Sequence, residues 1–164
     1  MLLRWWRYLW GKRDEVAAMD WKDAELARIV LAIHRHRRGV DWRFVPIRDI
    51  APIHPIDRPS AQATAEERAA RIRPIADALR AEGRIGRDRL QAVLPSVSAI
   101  KLVETSPGRF VSFEGNGRLA ALRNVFADTA DLQVECERHD IAHAGRLLRR
   151  IARLREAHGL ATAD

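Results

Sequence analysis

Phe110-Val111-Ser112-Phe113-Glu114-Gly115-Asn116-Gly117-Arg118-Leu119-Ala120-Ala121-Leu122 is where the chain changes from one backbone periodicity to another. Phe110, Val111 and Phe113 are strand formers, whereas Leu119, Leu122, Val125 and Phe126 recur at helical spacing. Between them, Gly115 and Gly117 permit positive φ and close backbone approach. The stretch therefore predicts a strand, a tight turn and a helix. That arrangement aims the unpartnered first N–H groups of a helix, with Arg118 in its first turn, at one small volume. Such groups favour an anion, since the helix dipole is positive there. The motif lacks the third glycine and the spacing of the dinucleotide fingerprint, and the G-K-[ST] of a P-loop. On local pattern alone it is either an anion cradle or a turn whose glycines serve packing.

Working outward, Ser98 to Glu104 pairs naturally with Arg109 to Phe113 as a hairpin, and Leu132 to Cys136 reads as a further strand. Ile72, Ile75 and Leu79 mark the core face of a helix ending at Gly83, with Pro74 kinking it or starting a second segment. Gly83 and Gly86 leave Arg84, Arg87, Asp88 and Arg89 in an exposed turn. Thr64-Ala65-Glu66-Glu67 has the form of a capping box, which predicts a helix starting there. The prolines at 52, 55 and 59 predict an ordered, irregular loop over Ala51 to Ala63 that can reach over a ligand. Phe44 to Ile50 reads as an opening strand. Before it, a helix is expected from the N-cap Asp20 to about Arg38, with Leu26, Ile29, Val30 and Ile33 as its buried stripe and Trp21 and Trp42 packing it on the core. At the other end, Asp140 is the expected N-cap of a helix to His158. Its apolar stripe runs through Leu147, Ile151 and Leu154, and its polar face carries Arg146, Arg149, Arg150, Arg153 and Arg155.

Taken together, the segments from about 42 to 138 resemble the ParB/sulfiredoxin-like superfamily. Phe44 to Ile50 is similar to its opening strand, and Pro55-Ile56-Asp57-Arg58-Pro59 to the arginine-bearing loop that follows. Gly115-Asn116-Gly117-Arg118 is similar to its phosphate turn. The resemblance implies an α+β fold, a small mixed sheet with flanking helices, here with an added N-terminal segment and helix (1–41) and a basic amphipathic C-terminal helix (139–164) packed on the domain (42–138). It implies nucleotide use, because partition-protein members bind and slowly hydrolyse CTP, sulfiredoxins use ATP to repair sulfinic acid, and others are kinases of free serine. The expected ligand is thus CTP or ATP with Mg2+, or another phosphorylated molecule, held by Gly115, Asn116, Gly117, Arg118 and Arg58. Any reaction would be nucleotide hydrolysis or phosphoryl transfer, with Glu114 as a candidate base or cation ligand. Asn116-Gly117 stands where sulfiredoxins have Cys-His, so their thiol chemistry is not expected. The same pair replaces the Glu-Arg of CTP-binding members, removing one carboxylate associated with hydrolysis and one phosphate-binding cation. The helix-turn-helix and dimerisation modules of partition proteins are not expected within 164 residues.

The net charge of +7 leaves polyanionic partners open: nucleotide, nucleic acid gripped by the arginine-rich helices, or anionic lipid. Arginine dominates over lysine, and its planar fork suits phosphate. The basic run from His34 to Arg38 has a simpler explanation in the helix dipole. Cys136 is the lone cysteine, which excludes an intramolecular disulfide and fits a reducing, cytoplasmic setting. Its expected place is buried in a strand. Among the six histidines, His139 and His143 have i, i+4 spacing, but no third ligand follows, so they read as surface residues and no metal site is expected.

Residues 1–13 form a separate unit. Trp5, Trp6 and Trp10 are interleaved with Arg4 and Arg7 in a stretch too short to span a bilayer. Tryptophan beside arginine suits a membrane interface, and the same residues equally suit docking on the domain or on a partner protein.

Overall fold

The structure is a computed structural model that describes residues 21–126 and 131–160. The readings placed on Arg4, Trp5, Trp6, Arg7 and Trp10, and the Asp20 cap, lie outside the described residues. No helix among the described residues is long and apolar enough to cross a membrane.

The fold is α+β, a six-stranded mixed sheet with helices on both faces. In chain order the elements are α1 (Trp21–His36), β1 (Arg37–Pro46), β2 (Ile50–Pro52), α2 (Pro59–Ile72), α3 (Ala76–Glu82), β3 (Arg84–Ile85), α4 (Arg87–Val93), β4 (Lys101–Ser106), β5 (Arg109–Glu114), α5 (Asn116–Phe126), β6 (Gln133–Ile141) and α6 (Gly145–Ala157). The sheet order is β1-β6-β4-β5-β2, with β3 also on β6. β1 is antiparallel to β6 and β4 to β5, while β2/β5, β3/β6 and β4/β6 are parallel.

Side-chain alternation divides the core in two. Leu102 of β4, Phe110 of β5, and Val134 and Cys136 of β6 meet Ala69 and Ile72 of α2, Leu79 of α3, Leu90 of α4, and Leu119, Leu122 and Phe126 of α5. Val103, Val111 and Phe113 point the other way, onto Ile29 and Ile33 of α1 and Leu147, Ile151 and Leu154 of α6. β5 is therefore covered on both faces, and its near-continuous apolar run follows from that. The hairpin, the turn after Glu114 and the strand containing Cys136 form as the sequence predicts. Pro74 sits in a 3-10 turn, Arg73–Ile75, that separates α2 from α3, and Gly83 closes α3 at φ 69°.

Five expectations fail, three of them because a tertiary contact overrides a local signal. The first helix ends at His36, not Arg38, since Arg37 onward pairs with β6 along the length of β1. α2 begins at Pro59, whose fixed φ suits the first helical position. Thr64 is consequently inside the helix, and its hydroxyl donates back to the Ser60 carbonyl at 2.9 Å. The supposed turn after Gly83 contains β3 and α4. The start of α4 is satisfied from another strand, because the Glu135 carboxylate accepts the Arg87 N–H at 2.7 Å. At the C-terminal end β6 continues through Asp140, opposite Gly39, and α6 starts at Gly145. Finally, Trp21 and Trp42 are exposed rather than packed. The divisions at 41/42 and 138/139 fall inside β1 and β6, and both terminal helices pack on the sheet.

Candidate anion site at the start of α5

Gly115 is required twice over. Its φ is 85°, and a Cβ there would lie 2.9 Å from Ile100 Cα and 3.0 Å from the Ala99 carbonyl oxygen. The turn is thus pressed against the segment leading into β4. The Gly115 carbonyl accepts the Arg118 N–H at 3.0 Å and the Leu119 N–H at 3.1 Å. The Asn116 and Gly117 amides precede these first helical bonds, as orphan donors do.

Gly117 is needed for a different reason. A Cβ at this position would lie 2.5 Å from Nη1 of Arg68, a residue of α2. The Arg68 guanidinium therefore lies over the first turn of α5. It enters no ion pair among the described residues. Glu66, two residues earlier on α2, is held by Arg73 at 2.6 Å and by the Asn124 amide at 3.1 Å.

Arg118 is 3% exposed, and its Nη2 donates to the Ser98 carbonyl. Its Nε has no partner, nor does Oδ1 of the buried Asn116. Two orphaned polar atoms on one turn are uncommon, because an unmade buried hydrogen bond forfeits the hydration of the group. Burial lowers the Arg118 pKa, and the neighbouring Arg68 charge lowers it further against the weaker pull of Cys136 and Glu114. Two guanidiniums and a helix N-terminus thus raise the positive potential at one place.

Glu114 is not free to act there, since Lys101 holds it at 2.7 Å. Burial raises its pKa, yet hydrogen bonds from Lys101 and Ser98 and the Lys101 charge outweigh this and hold the carboxyl below its ordinary range. An ionised carboxylate neutralised by an ammonium is a poor base near neutrality. Arg58 is engaged by Asp23 of α1 at 2.9 Å and is largely solvent-exposed. Of the sequence-predicted residues, Gly115, Asn116, Gly117 and Arg118 lie together at this turn. Arg68 was missed, although an arginine one helical turn before Ile72, on the core side of α2, is the signal that would have found it.

Next to the turn, Arg118 borders a hollow of about 430 Å3 that is also lined by Trp42, Arg87, Lys101, Glu135 and Glu137. The Arg87 guanidinium stacks 5.1 Å over the Trp42 ring. On the α1 face, His139 is buried, which overturns its reading as a surface residue. Strand alternation in β6 turns its ring inward, edge-on to Phe113 at 5.0 Å and His34 at 5.5 Å. Its Nε2 meets the Glu137 carboxylate at 2.6 Å, and burial lowers its pKa despite that partner. His143 lies beyond β6 at φ 51°, so the two histidines are not on one helix face. Among the described residues no group of three or more His, Cys, Asp or Glu side chains is placed to hold a metal ion. Burial pushes the Cys136 thiol up to about 12, leaving it inert.

Compared with protein-family models, curated proteins and solved structures, the chain matches none.

Proposed function

We propose that this chain is a ParB/sulfiredoxin-like domain that binds a nucleotide, CTP or ATP, or another phosphorylated ligand. A phosphate sits at the start of α5 between the Asn116 and Gly117 amides and the Arg68 guanidinium, with Arg118 behind it. The observation that carries this reading is Arg68 lying over Gly117 without a carboxylate partner, beside a second, buried guanidinium. Repulsion of this kind is relieved by a bound anion. Oδ1 of Asn116 and Nε of Arg118 lie buried and unpartnered at the same turn.

Mg2+ would arrive on the phosphates, the usual way this ion is held with few protein ligands. Binding is favoured over turnover, because the turn has no thiol and the carboxylate that immediately precedes it, Glu114, is tied to Lys101. If phosphate transfer occurs, the positive cluster stabilises charge on the leaving phosphate. The lone buried Cys136 accords with a reducing, cytoplasmic setting. Calorimetric titration with CTP, ATP and ADP in magnesium tests the reading. Heat from at least one supports it, and none from all three removes it.

A further inference from the structure

On the sheet face opposite α5, α1 and α6 lie side by side over the second core. Two hollows between them, of about 720 and 650 Å3, share Arg28, Arg146 and Arg150 and form one continuous trough. Helical spacing fills it with guanidiniums. Arg28 and Arg35 are two turns apart on α1, and Arg146, Arg149, Arg150 and Arg153 follow i, i+3, i+4, i+7 on α6. The one carboxylate in the lining, Glu25, is taken by Arg150 at 2.7 Å. The other five arginines enter no ion pair among the described residues.

We propose that this trough binds the phosphodiester backbone of a single-stranded nucleic acid. Five cations without an ion-pair partner along one groove repel one another, and a linear polyanion is the ligand that relieves all of them at once. Arginine forks match phosphate oxygens in pairs. Neighbouring arginines on α6 stand about 5–6 Å apart at Cβ, so successive guanidiniums meet successive charges of a chain. Trp21, 59% exposed at one end of the trough, and Leu31, 69% exposed along it, offer apolar faces to unpaired bases. A basic groove with an aromatic platform is how single strands are held without sequence preference. An anionic bilayer fits less well. Its surface is flat, the arginines line a groove, and α6 carries no large exposed apolar side chain to insert.

Fluorescence anisotropy of a labelled 20-nucleotide oligothymidylate, titrated with the full chain at several salt concentrations, tests this. The expected log–log salt slope is about −3.5 to −4, for five or six phosphate contacts on a single strand. Arg146→Glu/Arg153→Glu is expected to weaken binding at least about tenfold at low salt. The charge-matched control Arg71→Glu/Arg89→Glu, on α2 and α4, is expected to stay within about threefold. Circular dichroism of each variant establishes that the fold is kept. If the groove variant unfolds, Arg28→Gln/Arg149→Gln is read instead, with a loss of about 1 to 1.5 in the slope expected. Equal losses in groove and control variants, absence of binding at low salt, or binding to phosphatidylglycerol vesicles that the oligonucleotide does not displace would each overturn the proposal.

Discussion

Arg68 and Gly117 are sterically matched: the guanidinium lies where the first carbon of any larger residue at 117 would be, 2.5 Å from Nη1. Gly117 has ordinary backbone geometry, so its lack of a side chain serves Arg68 and not a turn. Alanine is otherwise the better helix former. Gly117→Ala should therefore leave thermal stability unchanged or slightly raised, because the tip of an arginine can move. Affinity for the phosphate ligand should drop about tenfold as Arg68 is displaced, the size of one charge-assisted hydrogen bond. Calorimetry beside a melting curve checks both halves, and full affinity in this variant would dissociate Arg68 from the ligand.

Gly115 behaves in the opposite way. Its obstacles are the backbone of Ile100 and Ala99, which cannot swing aside, and its φ of 85° is costly for any other residue. Gly115→Ala should lose about 2–3 kcal/mol of stability. For a chain of this size that lowers the melting temperature by roughly 5–10 °C. A melting curve coinciding with the parent's would show the turn to be looser than described.

Stability should also respond to pH through His139. Its folded pKa lies below the ordinary 6.5, with burial the leading cause. As pH falls through 6.5 the unfolded chain takes up a proton that the folded one resists, so stability present above that value is lost toward the lower folded pKa. Glu25, Asp41 and Glu114 are displaced downward from 4.5, 3.8 and 4.5, and their contributions fade only in more acidic solution. Urea unfolding between pH 7.5 and 5 should show a decline that His139→Gln flattens. An equal slope in the two proteins would place the titration elsewhere.

The cap that Glu135 provides to α4 is open to a similar test. Glu135→Ala leaves the Arg87 N–H unpaired in the first turn of a short helix and should cost about 1 kcal/mol. Hydrogen exchange should speed up in α4 before it does in β6. Unchanged protection in α4 would remove the cap.

The residues explain what could be read in advance. The β5–α5 stretch was legible because strand formers, two glycines and a helical repeat are adjacent in the chain and agree with one another. The same holds for the break at Pro74 and for buried Cys136. The sequence misleads where the deciding residue lies outside the local motif. Thr64 carries a capping signature, but Pro59 starts the helix earlier. Asp140 resembles an N-cap until Gly39 pairs with it. Arg84 to Arg89 looks like an exposed turn until Arg84 and Ile85 pair with β6 and Glu135 caps α4. At the site, the glycines and Arg118 are visible as a motif, whereas Arg68 approaches from a helix some fifty residues away, and its i, i+4 spacing to Ile72 places it on the core side of α2 without naming its partner. Arg58 enters the expected site only through the family resemblance, and the structure ties it to Asp23.

The amides of Asn116 and Gly117 are the most direct reporters of the proposed site. A 1H–15N correlation spectrum of the labelled chain, titrated with CTP and then ATP in magnesium, should move these two backbone signals together with the Arg68 Nε–H, and Arg68→Gln should abolish the response. Ligand-dependent shifts that leave Asn116 and Gly117 in place, or a spectrum unaltered by either nucleotide, would contradict nucleotide binding at this turn.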